Sequence, residues 1–260
     1  MIVDCHTHIS CRGYEIGPED HFAESESVDA CIVLASPGGD NQQVNRDLSD
    51  YVGKHPKKMF GFGVVNPVRD DISVKYISGL KDRLKLDGVV VYCCGDSFHP
   101  AHSRAMQFYE TAEQLNLPVF FHNTGQFSPG ANLDYARPFL IDEVARSFPG
   151  LKIIIGGMGK PFLSQTLCVL AKNQNVYADL TISPGRVWDV YNLVVSAHEA
   201  DVMDKLLFGS GLPVGKPQSC IEALLGFNKL IANTDLPTVP REKIRGIIER
   251  DSLQLLGIDY

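Results

Sequence analysis

Eight short apolar runs, about 29 residues apart, constrain this chain more than any other feature. They cover residues 2–5, 30–35, 60–65, 88–93, 118–121, 151–155, 176–180 and 206–209. Each is rich in Val, Ile or Phe and has the length of a strand buried on both faces. Between them lie segments of helical periodicity, clearest over 72–86, 104–117, 137–148 and 162–173, with Pro118 and Pro149 just past two of their ends. Eight strands alternating with helices in 260 residues is the pattern of a (β/α)8 barrel, an α/β fold of the TIM type. The competing architecture is a doubly wound open sheet. The strand count favours the barrel, and no Gly-x-Gly-x-x-Gly follows the first run. Residues 240–257 read as one final helix. No composition shift marks a linker, so residues 1–260 are expected to form a single barrel domain. The longest irregular stretch is 123–136, after the fifth run, and in such a barrel the loops that follow the strands build the active face.

The bulk properties narrow the partners. The formal net charge is −7, from 24 basic and 31 acidic residues, whereas a nucleic-acid binder needs a basic face. A small-molecule substrate suits the balance, and homo-oligomerisation stays open. No apolar run approaches the roughly 20 residues of a membrane helix, so no membrane partner is expected. The seven cysteines, Cys5, Cys11, Cys31, Cys93, Cys94, Cys168 and Cys220, are odd in number, irregularly spaced and free of any Cys-x-x-Cys pair. That pattern predicts reduced thiols in a cytoplasmic protein rather than a disulfide framework or a cysteine zinc site. No basic segment followed by an apolar stretch opens the chain, so no signal peptide is expected.

The chemistry concentrates in histidines. His6 and His8 stand two apart at the end of the first run, and side chains two apart on a strand share a face. His122 ends the fifth run at the same level of a barrel. Three imidazoles converging from two strand ends suit a divalent metal, zinc above all, with an open position where a water becomes acidic. A single histidine at a strand end is ordinarily a satisfied core residue; the His-x-His spacing together with His122 shifts the balance toward a metal. His21, His55 and His198 lie in polar segments expected to be solvated. His99 and His102 follow the fourth run on the active face, where a surface loop is the plainer reading.

Asp4-x-His6-x-His8 in the first run, LPVFFHNTG at the fifth, IIIGGMGKP at the sixth and LLFGSGLP at the eighth together resemble the amidohydrolase superfamily. The branch they resemble most is the amidohydrolase-related family that includes aminocarboxymuconate-semialdehyde decarboxylase. The similarity runs through the terminal REKIRGIIERDSLQLLGI. It implies a metal-dependent hydrolase or decarboxylase, with His6, His8 and His122 as ligands and Asp4 as an outer acceptor supporting the histidines. Two positions depart from the family pattern. Gly157 stands where a histidine usually follows the sixth strand, and Gly211 where an aspartate usually follows the eighth. Glycine neither ligates nor carries a proton. The fourth run offers no lysine for a carbamate that would bridge two metals, so one metal is expected. The missing base turns attention to Asp179 in the seventh run and Asp96 after the fourth, with a paired barrel-interior residue as the plainer reading of Asp179. Arg186, close to Trp188 after the seventh run, is a candidate for binding a substrate carboxylate, with a surface arginine at a helix start as the plainer reading. The glycines and lysines of GGMGK and GSGLPVGK suggest a phosphate loop, and Cys93-Cys94 reads as core. The alternative to an enzyme is a barrel that kept its shape, lost its chemistry and serves binding or assembly.

Overall fold

The computed structural model describes residues 1–11, 14–122 and 129–260. Among them, eight parallel strands follow one another around a single sheet in chain order: β1 Val3–Thr7, β2 Ala30–Leu34, β3 Met59–Val64, β4 Gly88–Val91, β5 Val119–Phe121, β6 Ile153–Ile155, β7 Val176–Thr181 and β8 Leu206–Gly209. All but the last residue of β7 are buried, as expected of strands covered on the inside by barrel packing and on the outside by helices. The runs read from sequence coincide with these strands to within a few residues at each end.

Sequential register makes the barrel. Each strand pairs in parallel with the next, and the ring closes between β8 and β1 through the turn after β8. Gly211 donates its N–H to the carbonyl of His6 at 2.8 Å, and His8 donates its N–H to Leu212 at 2.8 Å. The β1–β2 ladder slips by one residue between Asp4 and Thr7, a bulge-like irregularity that re-aims the side chains around it.

The helices close the outside. The principal ones after β1 to β8 are α1 Pro18–Glu24, α2 Asn41–Val52, α3 Val74–Asp82, α4 Ser103–Gln114, α5 Pro138–Ser147, α6 Leu163–Lys172, α7 Val187–Glu199 and α8 Pro217–Leu225. Local chemistry starts several of them. Asp40 accepts from the N–H groups of Gln42 and Gln43 ahead of α2, Ser73 caps Tyr76 N–H in α3, and proline occupies the first turn of α1, α5 and α8. Inward faces such as Ile77, Leu80, Phe108, Ile141 and Val144 pack on the sheet.

Three expectations are corrected or limited, and one element was not anticipated. The tail is not one helix: after a four-residue helix, α9 Phe227–Leu230, it forms α10 Arg241–Ile248 and α11 Ser252–Leu256, because the Asp251 carboxylate accepts from Gln254 N–H and starts a new helix. A two-stranded hairpin, Ser10–Cys11 with Tyr14–Glu15, follows β1 unannounced. His21 is not solvated but fully buried, its Nδ1 2.8 Å from the Tyr51 hydroxyl, since it lies on the inward face of α1; burial lowers its pKa to about 4. Of the long stretch 123–136, residues 123–128 lie outside the described residues, and Leu133–Ala136 forms a 3-10 turn. The six cysteines whose side chains are described are free thiols, all but Cys168 buried, and no helix among the described residues is long and apolar enough to cross a membrane.

Candidate metal centre

His6, His8 and His122 converge at the mouth formed by the C-terminal ends of the strands, and each is at most 5% exposed. Their Nε2 atoms form a triangle with all three sides 3.2 Å. The second nitrogens of His8 and His6 help explain why those rings turn Nε2 inward. His8 Nδ1 lies 2.9 Å from the carbonyl oxygen of Leu34 at the end of β2. A carbonyl only accepts, so Nδ1 carries the proton and Nε2 presents a lone pair. His6 Nδ1 lies 3.1 Å from the Asp179 carboxylate, which places its proton there by the same reasoning. His122 is stacked beneath the Tyr92 ring at 4.6 Å, and the Tyr92 hydroxyl donates to the Ala35 carbonyl at 2.9 Å. Phe120 meets His6 edge-on at 5.2 Å.

Lone pairs converging at 3.2 Å repel unless a cation lies between them. Three nitrogens bound to one zinc at about 2.0–2.1 Å in a tetrahedron stand about 3.3 Å apart, so the donor set fits a single divalent ion. It is the one cluster of three metal-ligating side chains among the described residues.

Asp179, fully buried on β7, joins this centre to the glycine side of the mouth. Its Oδ1 meets His6 Nδ1 and accepts the Thr181 hydroxyl; its Oδ2 accepts Gly157 N–H at 2.5 Å. Both oxygens are therefore engaged, an arrangement that orients a ligand rather than leaving a base free. Thr181, two residues on and so on the same strand face, also places its hydroxyl 3.1 Å from His6 Nδ1. Sequence reasoning passed over Thr181, Tyr92 and Leu34; of these only Thr181 had a readable signal, its i,i+2 relation to Asp179.

The remaining candidates fall as follows. Asp4 is fully buried, and its Oδ1 accepts from the backbone N–H of His6 at 3.2 Å and of Ser210 at 2.9 Å; its Oδ2 has no hydrogen-bond partner. It ties β1 to the turn after β8, and burial raises its pKa to about 6. The imidazole contact expected of an outer acceptor is made by Asp179. Arg186 points outward at the start of α7, 3.9 Å from Asp189, and Trp188 is 65% exposed. Asp96 is half-buried on the loop after β4, and desolvation raises its pKa. His99 and His102 accept backbone N–H groups of Ala101 and Arg104, holding their own loop and the start of α4. The GGMG stretch is a turn in which Gly157, Met158 and Gly159 have φ of 51°, 58° and 62°. Its Gly157 N–H is directed at a carboxylate, an unfavourable setting for phosphate, and Lys216 of GSGLPVGK pairs with Glu24 at 2.7 Å.

The strand ends of an eight-stranded barrel holding three buried histidines define the class: a TIM barrel of the amidohydrolase type with a candidate metal site. The amidohydrolase family model matches residues 3–246, and the chain belongs to that family. Solved structures of similar shape include an uncharacterised TIM-barrel protein from Bordetella bronchiseptica (17% identity, 98% of each chain covered, TM-score 0.73). A second is a probable 2-pyrone-4,6-dicarboxylic acid hydrolase from Acinetobacter baumannii with citric acid bound (15% identity, 99% of each chain, TM-score 0.70). A third is a 5-carboxyvanillate decarboxylase from Novosphingobium aromaticivorans with bound manganese (12% identity, 99% of this chain and 97% of that one, TM-score 0.70).

Proposed function

We propose that this chain is a metal-dependent hydrolase or decarboxylase of a small organic substrate, with His6, His8 and His122 holding one divalent cation. The observation that carries the reading is the 3.2 Å triangle of Nε2 atoms, two of them with lone pairs set by Leu34 and Asp179. Zinc suits three neutral imidazoles. When bound, the cation supplies Lewis acidity, polarising a substrate oxygen or acidifying a water. The protein's own share is orientation and exclusion of water. Leu34 and Asp179 hold two rings, Tyr92 and Phe120 wall the site with aromatic surface, and the buried setting strengthens each electrostatic contact.

The test is the metal content of protein purified without added zinc, beside a His6→Ala/His8→Ala variant. The expected result is about one divalent ion per chain in the parent and none in the variant. Below about 0.1 ion per chain, unchanged by supplementation with zinc or manganese, the metal reading fails, since such sites normally bind tightly, and a barrel serving binding or assembly takes its place. With metal present, turnover on a panel of esters, lactones, amides and aromatic carboxylates defines the reaction.

A further inference from the structure

The glycine side of the mouth carries a cation that the site as described leaves unused. Lys160 follows the GGMG turn after β6 and is half-buried. Its ammonium lies 3.3 Å from the carbonyl oxygen of Thr181, the last residue of β7, and the hydroxyl of the same Thr181 stands 3.1 Å from His6 Nδ1. One residue therefore separates the ammonium from the network that holds a metal ligand. Other cations at this mouth are already matched: Lys216 faces Glu24 at 2.7 Å and Arg186 faces Asp189 at 3.9 Å. Lys160 has no carboxylate within 4 Å among the described residues, and its one hydrogen bond there is long for a charged donor. Asp179, the nearest carboxylate of the centre, is engaged by His6, Thr181 and Gly157. Burial disfavours the charged form, and its pKa is lowered accordingly. A half-buried ammonium with spare donors, beside glycines that contribute no side chains, is best satisfied by an incoming anion.

We propose that Lys160 is the specificity-determining residue for an anionic substrate, its ammonium taking a carboxylate group of the molecule that reacts at the three-histidine centre. The assignment rests on the function proposed above. It gives the mouth two complementary poles: imidazoles at the reacting end and a single point charge at the recognition end. Lysine, unlike arginine, accepts an oxyanion without a fixed fork, so the residue selects charge rather than a particular planar geometry.

Calorimetric titration of the full chain, supplied with zinc, tests this directly. Benzoate and citrate serve as anionic probes and benzamide as the neutral one, each against the parent, Lys160→Met and Lys160→Arg. The expected result is a loss of about tenfold or more in affinity for the carboxylates in Lys160→Met, the size of one charge-assisted hydrogen bond. Lys160→Arg should recover most of the loss, and benzamide binding should not change. Equal carboxylate affinity in parent and Lys160→Met overturns the proposal, as does an equal loss for benzamide, or a parent that binds neither anion. Metal content read on the same samples separates the two failures. A metal-free parent whose carboxylate binding still depends on Lys160 removes the proposed function and keeps the anion site.

Discussion

The two sides of the barrel mouth are built on different principles. On the β1 and β5 side, the groups that matter are side chains projected from strand ends, and ladder geometry aims them: His6 and His8 share a face, and His122 follows β5 at the same height. On the β6 and β8 side the backbone itself leaves ordinary conformations. Gly157, Met158, Gly159 and Gly211 all have positive φ, and the functional groups nearby are an N–H, a threonine and a lysine. The first side presents the candidate ligands; the second contributes the contacts that hold Asp179 and His6. The difference teaches that the glycine side takes part in the centre through its backbone: Asp179 reaches His6 with one oxygen and Gly157 N–H with the other.

Breaking the ligand side gives the largest effect. His6→Ala removes one of three donors, and metal affinity measured by competition with a chelator should fall by far more than the 10–100-fold that an outer contact is worth. Asp179→Asn comes next. It preserves volume but removes the charge that orients His6, so metal affinity should drop by about 10–100-fold with the fold intact by circular dichroism. A variant that keeps full metal affinity and loses only turnover would make Asp179 a base and erase the distinction between the two sides.

The opposite end of the barrel holds a carboxylate on which burial outweighs a hydrogen bond. Asp87, before β4, accepts from Gly61 N–H at 2.9 Å, and desolvation raises its pKa to about 6. The folded protein then holds the proton more tightly than the unfolded chain, whose value is near 3.9. Its contribution is fully present below about pH 4 and is lost as pH rises to about 6, by at most about 3 kcal/mol. Asp87→Asn should flatten that part of the stability–pH curve in urea titrations; an unaltered slope would assign it to other groups. The smallest effect is expected from Gly211→Asp, the residue that the resemblance implies at this position. At φ +70° a side chain is strained, and its Cβ would stand 3.0 Å from Thr181 Cγ2. Destabilisation of about 1–2 kcal/mol is expected. Adding Thr181→Ser, which deletes that methyl, should recover part of it. A neutral or stabilising Gly211→Asp would show that this turn does not require glycine.

The sequence carries the ladder side legibly because period and spacing are local facts: eight apolar runs give the barrel, and His-x-His at a strand end gives a shared face. The glycine side is legible only through the resemblance, which implies a histidine and an aspartate where this chain has Gly157 and Gly211. Its wiring is tertiary. The bonds from Asp179 to His6 and Gly157 span 173 and 22 residues, and nothing in the intervening sequence announces them. Asp4 shows the limit from the other direction. Its spacing from His6 and His8 suggests a common face, but the slipped β1–β2 register follows it, and its carboxylate serves backbone amides instead. His21 failed for a related reason: its neighbours along the chain are polar, while its neighbour in space is Tyr51.

The closure between β1 and β8 also has a consequence in time. The strand that carries two of the three candidate ligands is synthesised before the other seven of the barrel, yet one of its edges is completed only by residues 206 positions later, through Asp4 and Ser210. A nascent chain can pair β1 with β2 early, but the ring that holds Asp179 and Thr181 against His6 exists only once the last strand has docked. On this topology the full surroundings of His6 are expected to form late in folding. In pulse-labelling hydrogen exchange, the His8 and Gly211 amides should gain protection last, together with the capacity to retain the ion.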